Sequence, residues 1–208
     1  MRLRLLSRIT VISLVVIVAA IMIIHSATTS ASKPAPKLDG IDLGSAPAPA
    51  FSLVDQSGAT ISLDQLQGHP VVVTFLYTHC PDACPLTAEK LHAAAQSLGP
   101  KASKVSWVII SIDPVGDTPT AASQFLAAHH LDGEAHYLLG TQAQLQPIWD
   151  AYHIAVSPNS DDGQAQVSGI SHSVGVYILD AQGRERIFLD AEFAPSTLAS
   201  DLRALTTS

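Results

Sequence analysis

Residues 71–85 read VVVTFLYTHCPDACP, and the interpretation of the chain starts from this stretch. Val71 to Tyr77 is a continuous run of apolar and β-branched residues, which predicts a central strand buried on both faces. From Pro85 to Leu98, apolar residues recur at the spacing of one helix face. Cys80 and Cys84, the only two cysteines in the chain, lie between this strand and this helix. The sequence therefore predicts two sulfurs at a strand-to-helix turn.

Strands and helices alternate along the rest of the chain. Further strands are predicted at 51–54, 60–63, 105–113, 136–139, 174–180 and 184–190, and further helices at 118–130, 141–152 and 195–205. The first two and the last two strands read as hairpins. Thr118 is the expected N-cap of its helix, with Pro119 at the first helical position. The pattern indicates an α/β, thioredoxin-like fold with an N-terminal β-hairpin extension.

The N-terminus carries a membrane signal. Arg2, Arg4 and Arg8 come before an uncharged apolar run over residues 9–24. This order predicts one N-terminal transmembrane helix or, as an alternative, a signal peptide cleaved near Ala31. We assign residues 1–27 to the membrane anchor or signal peptide, 28–46 to a flexible linker rich in Ser, Thr, Ala and Pro, and 47–208 to the domain. Both alternatives place the domain outside the cytoplasm.

Charge is unevenly distributed along the chain. Every acidic residue lies after position 38, together with only six of the eleven Lys and Arg residues, so residues 38–208, which include the domain, carry a net charge of −12. Such a domain is a poor partner for nucleic acid or an anionic membrane surface. A cation or a basic protein patch suits it better, although solubility alone also explains the charge.

The cysteine pair has three interpretations. Cys80 and Cys84 are four residues apart, so a helix that includes both would bring the sulfurs to one face. A structural disulfide would close a short loop and gain little stability. A thioredoxin-like redox pair is the second interpretation, because a helix N-terminus favours the thiolate. The third is a soft metal site, since thiolates select Cu(I) and an added imidazole also suits Cu(II).

A histidine decides between the redox and metal interpretations. Among nine histidines, His172 directly precedes the predicted strand 174–180. In a thioredoxin-type sheet the start of that strand faces the cysteine turn. Redox members usually have a proline in this stretch, whereas residues 171–175 contain none. This favours a Cys2His metal site, with His79 near the site or exposed, and His129 and His130 at a helix end.

Three segments resemble the SCO/SenC family of copper-binding proteins. Residues 75–85, FLYTHCPDACP, are similar to the cysteine signature of that family. Residues 111–119, SIDPVGDTP, are similar to its aspartate motif, and Ser171-His-Ser before strand 174–180 resembles its distal histidine. The resemblance implies one copper ion, Cu(I) or Cu(II), held by Cys80, Cys84 and His172. It also implies a domain on the periplasmic side of the inner membrane and assembly of the CuA centre in cytochrome c oxidase subunit II.

Two questions stay open at this stage. Asp113 and Asp117 are expected either to begin a helix or to serve the copper site or a docking partner. The chain is expected to act as a copper chaperone without enzymatic activity, with the Cys80–Cys84 disulfide as the state that releases metal. The alternatives are a thiol–disulfide oxidoreductase that reduces partner cysteines, and a copper or redox sensor.

Overall fold

The structure, a computed structural model, describes residues 17–18, 38–158, 165–166 and 175–206. It divides the chain into two compact units, Met1–Pro36 and Lys37–Ser208. In the first unit the described residues are Ile17 and Val18, which are helical. Across the described ranges, no helix has both the length and the apolar character needed to cross a membrane. Apart from Ile17 and Val18, the anchor predicted over residues 1–27 lies outside the described residues.

The second unit contains the predicted alternation of strands and helices. Its strands are β1 Ile41–Asp42, β2 Ser52–Asp55, β3 Thr60–Ser62, β4 Val71–Leu76, β5 Ser106–Ser111, β6 Ala135–Leu139, β7 Ser157–Pro158, β8 Ala165–Gln166, β9 Val176–Leu179 and β10 Glu185–Leu189. Its α-helices are α1 Ala83–Leu98, α2 Pro119–Ala128, α3 Gln142–Ala151 and α4 Pro195–Leu205, and 3-10 helices span Leu63–Leu66 and Gly99–Lys104.

One mixed sheet organises this unit, with strand order β1-β10-β9-β4-β5-β6-β2-β3. β4, β5 and β6 are parallel at its centre, and β9, β10, β1, β2 and β3 are antiparallel to their neighbours. Parallel strands end at the same edge of a sheet, so residues 77–82 and 112–118 emerge side by side. We call this edge the cysteine edge.

The sheet separates two apolar clusters. β4 is buried along its whole length, as expected for a central strand covered on both faces. Alternate residues point to opposite faces, so Val72 and Leu76 pack with α1, α2 and α4, while Val73 and Phe75 pack with α3 and the N-terminal hairpin. β4 pairs in register with β5 on one side and β9 on the other, and this pairing fixes the position of the loop that follows.

Most predicted elements are confirmed, with shifts of one or two residues at their ends. The hairpins β2–β3 and β9–β10 form, and α4 has the predicted bounds. Thr118 caps α2, because its hydroxyl oxygen accepts a hydrogen bond from the Ala121 N–H at 3.2 Å. α1 begins at Ala83, two residues before the predicted start. The short hairpin of β7 and β8 was not predicted.

Residues 38–46, assigned to the linker from the sequence, pack against the domain. Ile41 and Asp42 pair with β10, and the Asp39 N–H donates to the buried carboxylate of Asp201 at 2.8 Å. Pairing with an open strand edge uses backbone groups, so it leaves no apolar pattern in the sequence. The packed domain therefore begins before residue 47.

Candidate metal centre

Cys80 and Cys84 lie on different structural elements at the cysteine edge. Cys80 is half-buried in the loop after β4, residues 77–82, which we call the cysteine loop, and Cys84 is buried in the first turn of α1. Cys80 therefore does not belong to the helix, in contrast to the helical pairing considered from the sequence. The loop turns back on itself, with the Cys80 N–H donating to the Tyr77 carbonyl at 3.4 Å. Both cysteines are free thiols.

The sulfur of Cys80 closes the N-terminus of α1. The backbone N–H of Cys84 donates to Cys80 Sγ at 3.4 Å. Asp82 occupies the N-cap position, but its side chain makes no capping hydrogen bond. A helix leaves its first N–H groups without intrahelical partners, and anionic acceptors there are favoured by the dipole. The sulfur of Cys80 therefore replaces the carboxylate or hydroxyl that usually caps a helix.

Hydrogen bonding between the two cysteines separates their pKa values. The Cys84 thiol donates to Cys80, and together with the N–H groups of Asp82 and Cys84 it outweighs burial and lowers the pKa of Cys80 to about 5. The same hydrogen bond, followed by burial, raises the pKa of Cys84 well above its usual value. Near neutral pH the pair therefore holds one thiolate, exposed to solvent on one side, and one buried proton.

Tyr77 forms part of the same site. Burial raises the pKa of its phenol, and the hydrogen bond to Cys80 raises it further, so the hydroxyl stays protonated and remains a donor to the thiolate. Tyr77 is the last residue of the predicted strand, and its apolar ring explained its presence there without reference to the site. Its contact with Cys80 was missed because it depends on the turn that follows β4.

Asp117 holds the cysteine loop to the neighbouring strands. Its Oδ1 accepts from the Thr78 N–H at 2.7 Å, and its Oδ2 accepts from the hydroxyls of Ser111 at 2.6 Å and Tyr137 at 3.0 Å. Burial raises the pKa of Asp117, while these donors oppose the change. The helix cap expected from this region belongs to Thr118, and Asp117 instead links three elements of the cysteine edge.

His79, Asp113 and Asp117 form a second cluster of polar side chains. One potential ligand atom from each lies within 4.8 Å of the others. His79 is exposed, as expected, and its Nδ1 lies 3.0 Å from the Thr78 hydroxyl. Asp113 closes its own turn by accepting from the N–H groups of Val115 and Gly116. Both oxygens of Asp117 already have donors, so the cluster is explained by the hydrogen bonds that shape the two loops.

His172 lies outside the described residues, which resume at Gly175. β9 starts beyond this point, with Val176 opposite Thr74 in β4. The buried hydroxyl of Thr74 donates to the Gly175 carbonyl at 2.8 Å. A Cβ at position 175 would overlap the ring of Phe188, so the close packing here requires glycine. The chain thus enters β9 near the end of β4 that carries the cysteine loop.

His129 and His130, which the sequence places at a helix end, follow the last residue of α2. The ring of His129 packs against Phe125 at a tilt of 55°, with ring centroids 4.6 Å apart. His130 has a positive φ of 57° and its ring packs against His92. Neither joins the cysteines among the described contacts. The structure therefore brings Cys80 and Cys84 together at the cysteine edge.

A family model described as SCO1/SenC matches residues 42–207. The chain belongs to the SCO1/SenC family. This confirms the resemblance carried by the three sequence segments. A SCO2-like protein of Rickettsia conorii is similar to this SCO1/SenC chain, with 28% identity over 201 residues that cover 94% of each protein.

Two solved structures support the same assignment at the level of the fold. The structure of Bradyrhizobium japonicum ScoI with copper bound is 29% identical, with a TM-score of 0.67, and the match covers 77% of this chain and 99% of that one. Apo Sco1 of Thermus thermophilus is 26% identical, with a TM-score of 0.68 and coverage of 83% and 99%. The mixed α/β sheet therefore matches the thioredoxin-like Sco structures, as predicted.

Proposed function

We propose that this SCO1/SenC protein is a copper chaperone. In this proposal Cys80, Cys84 and His172 hold one copper ion, and the protein supplies it to the CuA centre of cytochrome c oxidase subunit II. The observation that carries the proposal is the contact between the two cysteines at the open edge of the sheet, where the Cys84 N–H meets Cys80 Sγ. Ligands commonly bind α/β sheets at the carboxyl ends of the parallel strands.

The chemistry of the two sulfurs suits copper. Thiolates are the ligands that Cu(I) prefers. Cys80 is already a thiolate near neutral pH, because its pKa is lowered to about 5. Cys84 retains its proton, since its pKa is raised by the hydrogen bond to Cys80 and by burial. Copper binding is therefore expected to displace one proton, from Cys84, for each ion bound near pH 7.

The position of β9 supports His172 as the third ligand. β9 is antiparallel to β4, and its pairing begins at Val176 opposite Thr74. Gly175, three residues after His172, therefore lies at the cysteine edge, where Thr74 donates to its carbonyl. Copper as the metal is supported by the similarity to ScoI of Bradyrhizobium japonicum, which was solved with copper bound.

Oxidation of the pair would release the metal. Thiol–disulfide exchange with a disulfide of a partner protein would form the Cys80–Cys84 bond and return the partner's two sulfurs as thiols. The partner gains the two electrons that the cysteines lose, and copper leaves as Cu(I) because its two thiolate ligands are gone. The redox state of the pair would then control transfer.

A copper titration tests the ligand set. The reduced full chain is titrated with Cu(I) and separately with Cu(II), beside His172→Ala and a Cys80→Ser, Cys84→Ser double variant. His69→Ala is the matched control, because His69 is exposed just before β4, at the opposite edge of the sheet. We expect one copper per chain in the wild type and in His69→Ala, weaker binding in His172→Ala, and loss in the double variant. Equal affinity in His172→Ala and the wild type would exclude the three-ligand site.

A second function is favoured by the same pKa separation. A solvent-accessible thiolate paired with a buried thiol is the arrangement of dithiol reductases, in which the first attacks a disulfide and the second resolves it. Reduction of the partner's cysteines by Cys80 and Cys84 would then be the activity, with copper binding incidental. Turnover of a disulfide substrate that needs both cysteines and survives in His172→Ala would support the reductase.

A copper or redox sensor would leave oxidase activity unchanged when the gene is deleted.

We also propose that residues 1–27 tether the domain to the inner membrane, with the domain on the periplasmic side. The support is the run of apolar residues 9–24 behind three arginines. Labelling of Cys80 in spheroplasts by a membrane-impermeant maleimide tests this orientation. Protection of Cys80 until the membrane is lysed would contradict it.

A further inference from the structure

Exposed apolar side chains lie beside the cysteine pair. Leu86, in the first turns of α1, is 47% exposed, and Val115, in the loop after β5, is 80% exposed. In the described domain the other large exposed apolar side chains are Ile41 and Val54, which lie on β1 and β2. A single exposed apolar residue needs no explanation. Leu86 and Val115, however, lie on segments next to the proposed copper site.

The two segments are held in place with respect to each other. The Thr78 N–H, in the loop before α1, donates to Asp117, in the loop that carries Val115. Asp113 closes the turn at Val115 itself, through the Val115 N–H at 3.2 Å. The apolar side chains are therefore presented by fixed backbone, which lowers the entropy lost when a partner binds.

A cavity opens between the cysteine loop and α2, lined in part by the sequence neighbours of Cys80 and Cys84. Its volume is about 340 Å³, and Pro85, Ala121, Phe125 and Ala128 give it apolar walls. His79, the neighbour of Cys80, and Gln124 line it as well. The cavity is large enough for a bulky apolar side chain from another protein. Because His79 and Pro85 adjoin the two cysteines, an occupant would lie against the metal site.

The charges around this surface favour a partner with positive charge. Residues 77–89 and 113–130 contain no lysine or arginine, and they include the exposed acidic residues Asp82 and Glu89. Lys90 is the next cation along α1, and its ammonium group donates to the Ala191 carbonyl at 2.7 Å and lies over the Phe193 ring. A partner with basic residues around an apolar centre complements this surface, whereas a second copy of this acidic domain does not.

We infer that Leu86, Val115 and the cavity form the docking surface for the protein that receives the copper. The acceptor inserts an apolar side chain into the cavity and places lysine or arginine side chains around it. This inference rests on the proposed chaperone function and specifies the chemistry of the partner. Docking at this surface brings the acceptor's ligands to the half-buried sulfur of Cys80, which is the accessible one of the pair.

Transfer kinetics test the docking surface. The full chain, purified in detergent and loaded with Cu(I), is mixed with the reduced metal-free copper-binding domain of oxidase subunit II, and the copper content of each protein is followed over time. A Leu86→Ser, Val115→Ser double variant should slow transfer by about tenfold, as for loss of apolar contacts at an interface centre. Ile41→Ser is the matched control, because Ile41 is 59% exposed on β1, three strands from β4. It should transfer at the wild-type rate.

Charge and self-association are tested in the same assay. Gln124→Lys should slow transfer and Gln124→Glu should not, and added salt should slow the wild type. Release of copper to a small Cu(I) chelator should be equal in all variants, because the ligands are untouched. Wild-type transfer rates in both the double variant and Gln124→Lys would overturn the docking surface, and so would altered release to the chelator.

Failure of the proposed function has a separate result. A wild-type chain that binds no copper, or transfers none to subunit II, overturns the chaperone function and the docking surface with it. A dimer of the wild type that light scattering detects and that the double variant loses would assign the surface to self-association and overturn the basic partner.

Discussion

The thiol of Cys80 should titrate far below an ordinary cysteine. Four donors converge on its sulfur, led by the Cys84 thiol and followed by the backbone N–H groups of Asp82 and Cys84 and by the Tyr77 hydroxyl, and they lower its pKa from 9.0 to about 5. At pH 7 a thiol of pKa 9 is roughly 1% thiolate, whereas one of pKa 5 is roughly 99% thiolate. The fraction of reactive sulfur thus differs about a hundredfold between the two cases.

The same structure specifies how the titration responds to mutation. Cys84→Ala removes the donor that contributes most to the lowered pKa of Cys80, so the midpoint should move upward. The backbone donors remain in this variant, so the midpoint should still lie below that of a free cysteine. Cys80→Ser should leave almost no reactive thiol, because Cys84 is only 2% exposed and its pKa is raised.

The assay is alkylation of the reduced, metal-free full chain by iodoacetamide between pH 4 and pH 9, with ultraviolet thiolate absorbance as a second measure. The midpoint of the curve is the relevant quantity, since a thiolate of low pKa is also a weaker nucleophile and reaches a lower plateau. A midpoint near 9 in the wild type would refute the reasoning. An unchanged midpoint in Cys84→Ala would show that the hydrogen bond between the cysteines is not its cause.

Three further predictions concern stability, each measured by urea unfolding. Asp117→Ala removes three hydrogen bonds and should lower the free energy of unfolding by about 3 kcal/mol, at about 1 kcal/mol each; a loss below about 0.5 kcal/mol would contradict its bracing role. Gly175→Ala places a Cβ against the Phe188 ring and should cost about 1–3 kcal/mol, so a neutral variant would show that the ring moves freely. Burial opposes ionisation of Asp55, but hydrogen bonds from Ser57 and His136 outweigh it and hold the pKa below 3.8. The ionised Asp55 carboxylate therefore contributes fully to the free energy of unfolding above about pH 4, and this contribution is lost as pH falls through the lowered pKa. Asp55→Asn should be less stable than the wild type by about 2 kcal/mol at pH 6. The difference between the two proteins should shrink below about pH 4.

Local patterns predicted the parts of the fold that depend on local physics. The run from Val71 to Leu76 could be buried only in a central strand, and the structure buries all of it. Thr118 followed by Pro119 has the chemistry of a helix start, and the hydroxyl of Thr118 makes the expected capping bond. The two cysteines were placed correctly at the strand-to-helix turn because their position follows from that one strand and helix.

Features that depend on pairing between distant segments were not predictable in the same way. Asp117 stands where an acidic residue is typical of a helix start. Its side chain instead accepts a hydrogen bond from Tyr137, twenty positions away on β6, and the parallel pairing of β5 and β6 brings the two together. β1 was not predicted for a related reason, because two residues that pair through their backbone alone show no hydrophobic periodicity in the sequence. The cavity lined by Phe125 and Pro85 arises from the packing of α2 beside the cysteine loop, which no single segment encodes.

The hydrogen bond from the Cys84 amide to the Cys80 sulfur makes the exchange rate of this amide sensitive to the chemical state of that sulfur. While the sulfur is a free thiolate, it shields this amide from water. A sulfur shared with a metal or a second sulfur is a poorer acceptor, and the amide proton should then exchange with deuterium faster. Hydrogen exchange at this one backbone position would thus give the proportion of protein whose Cys80 sulfur is free.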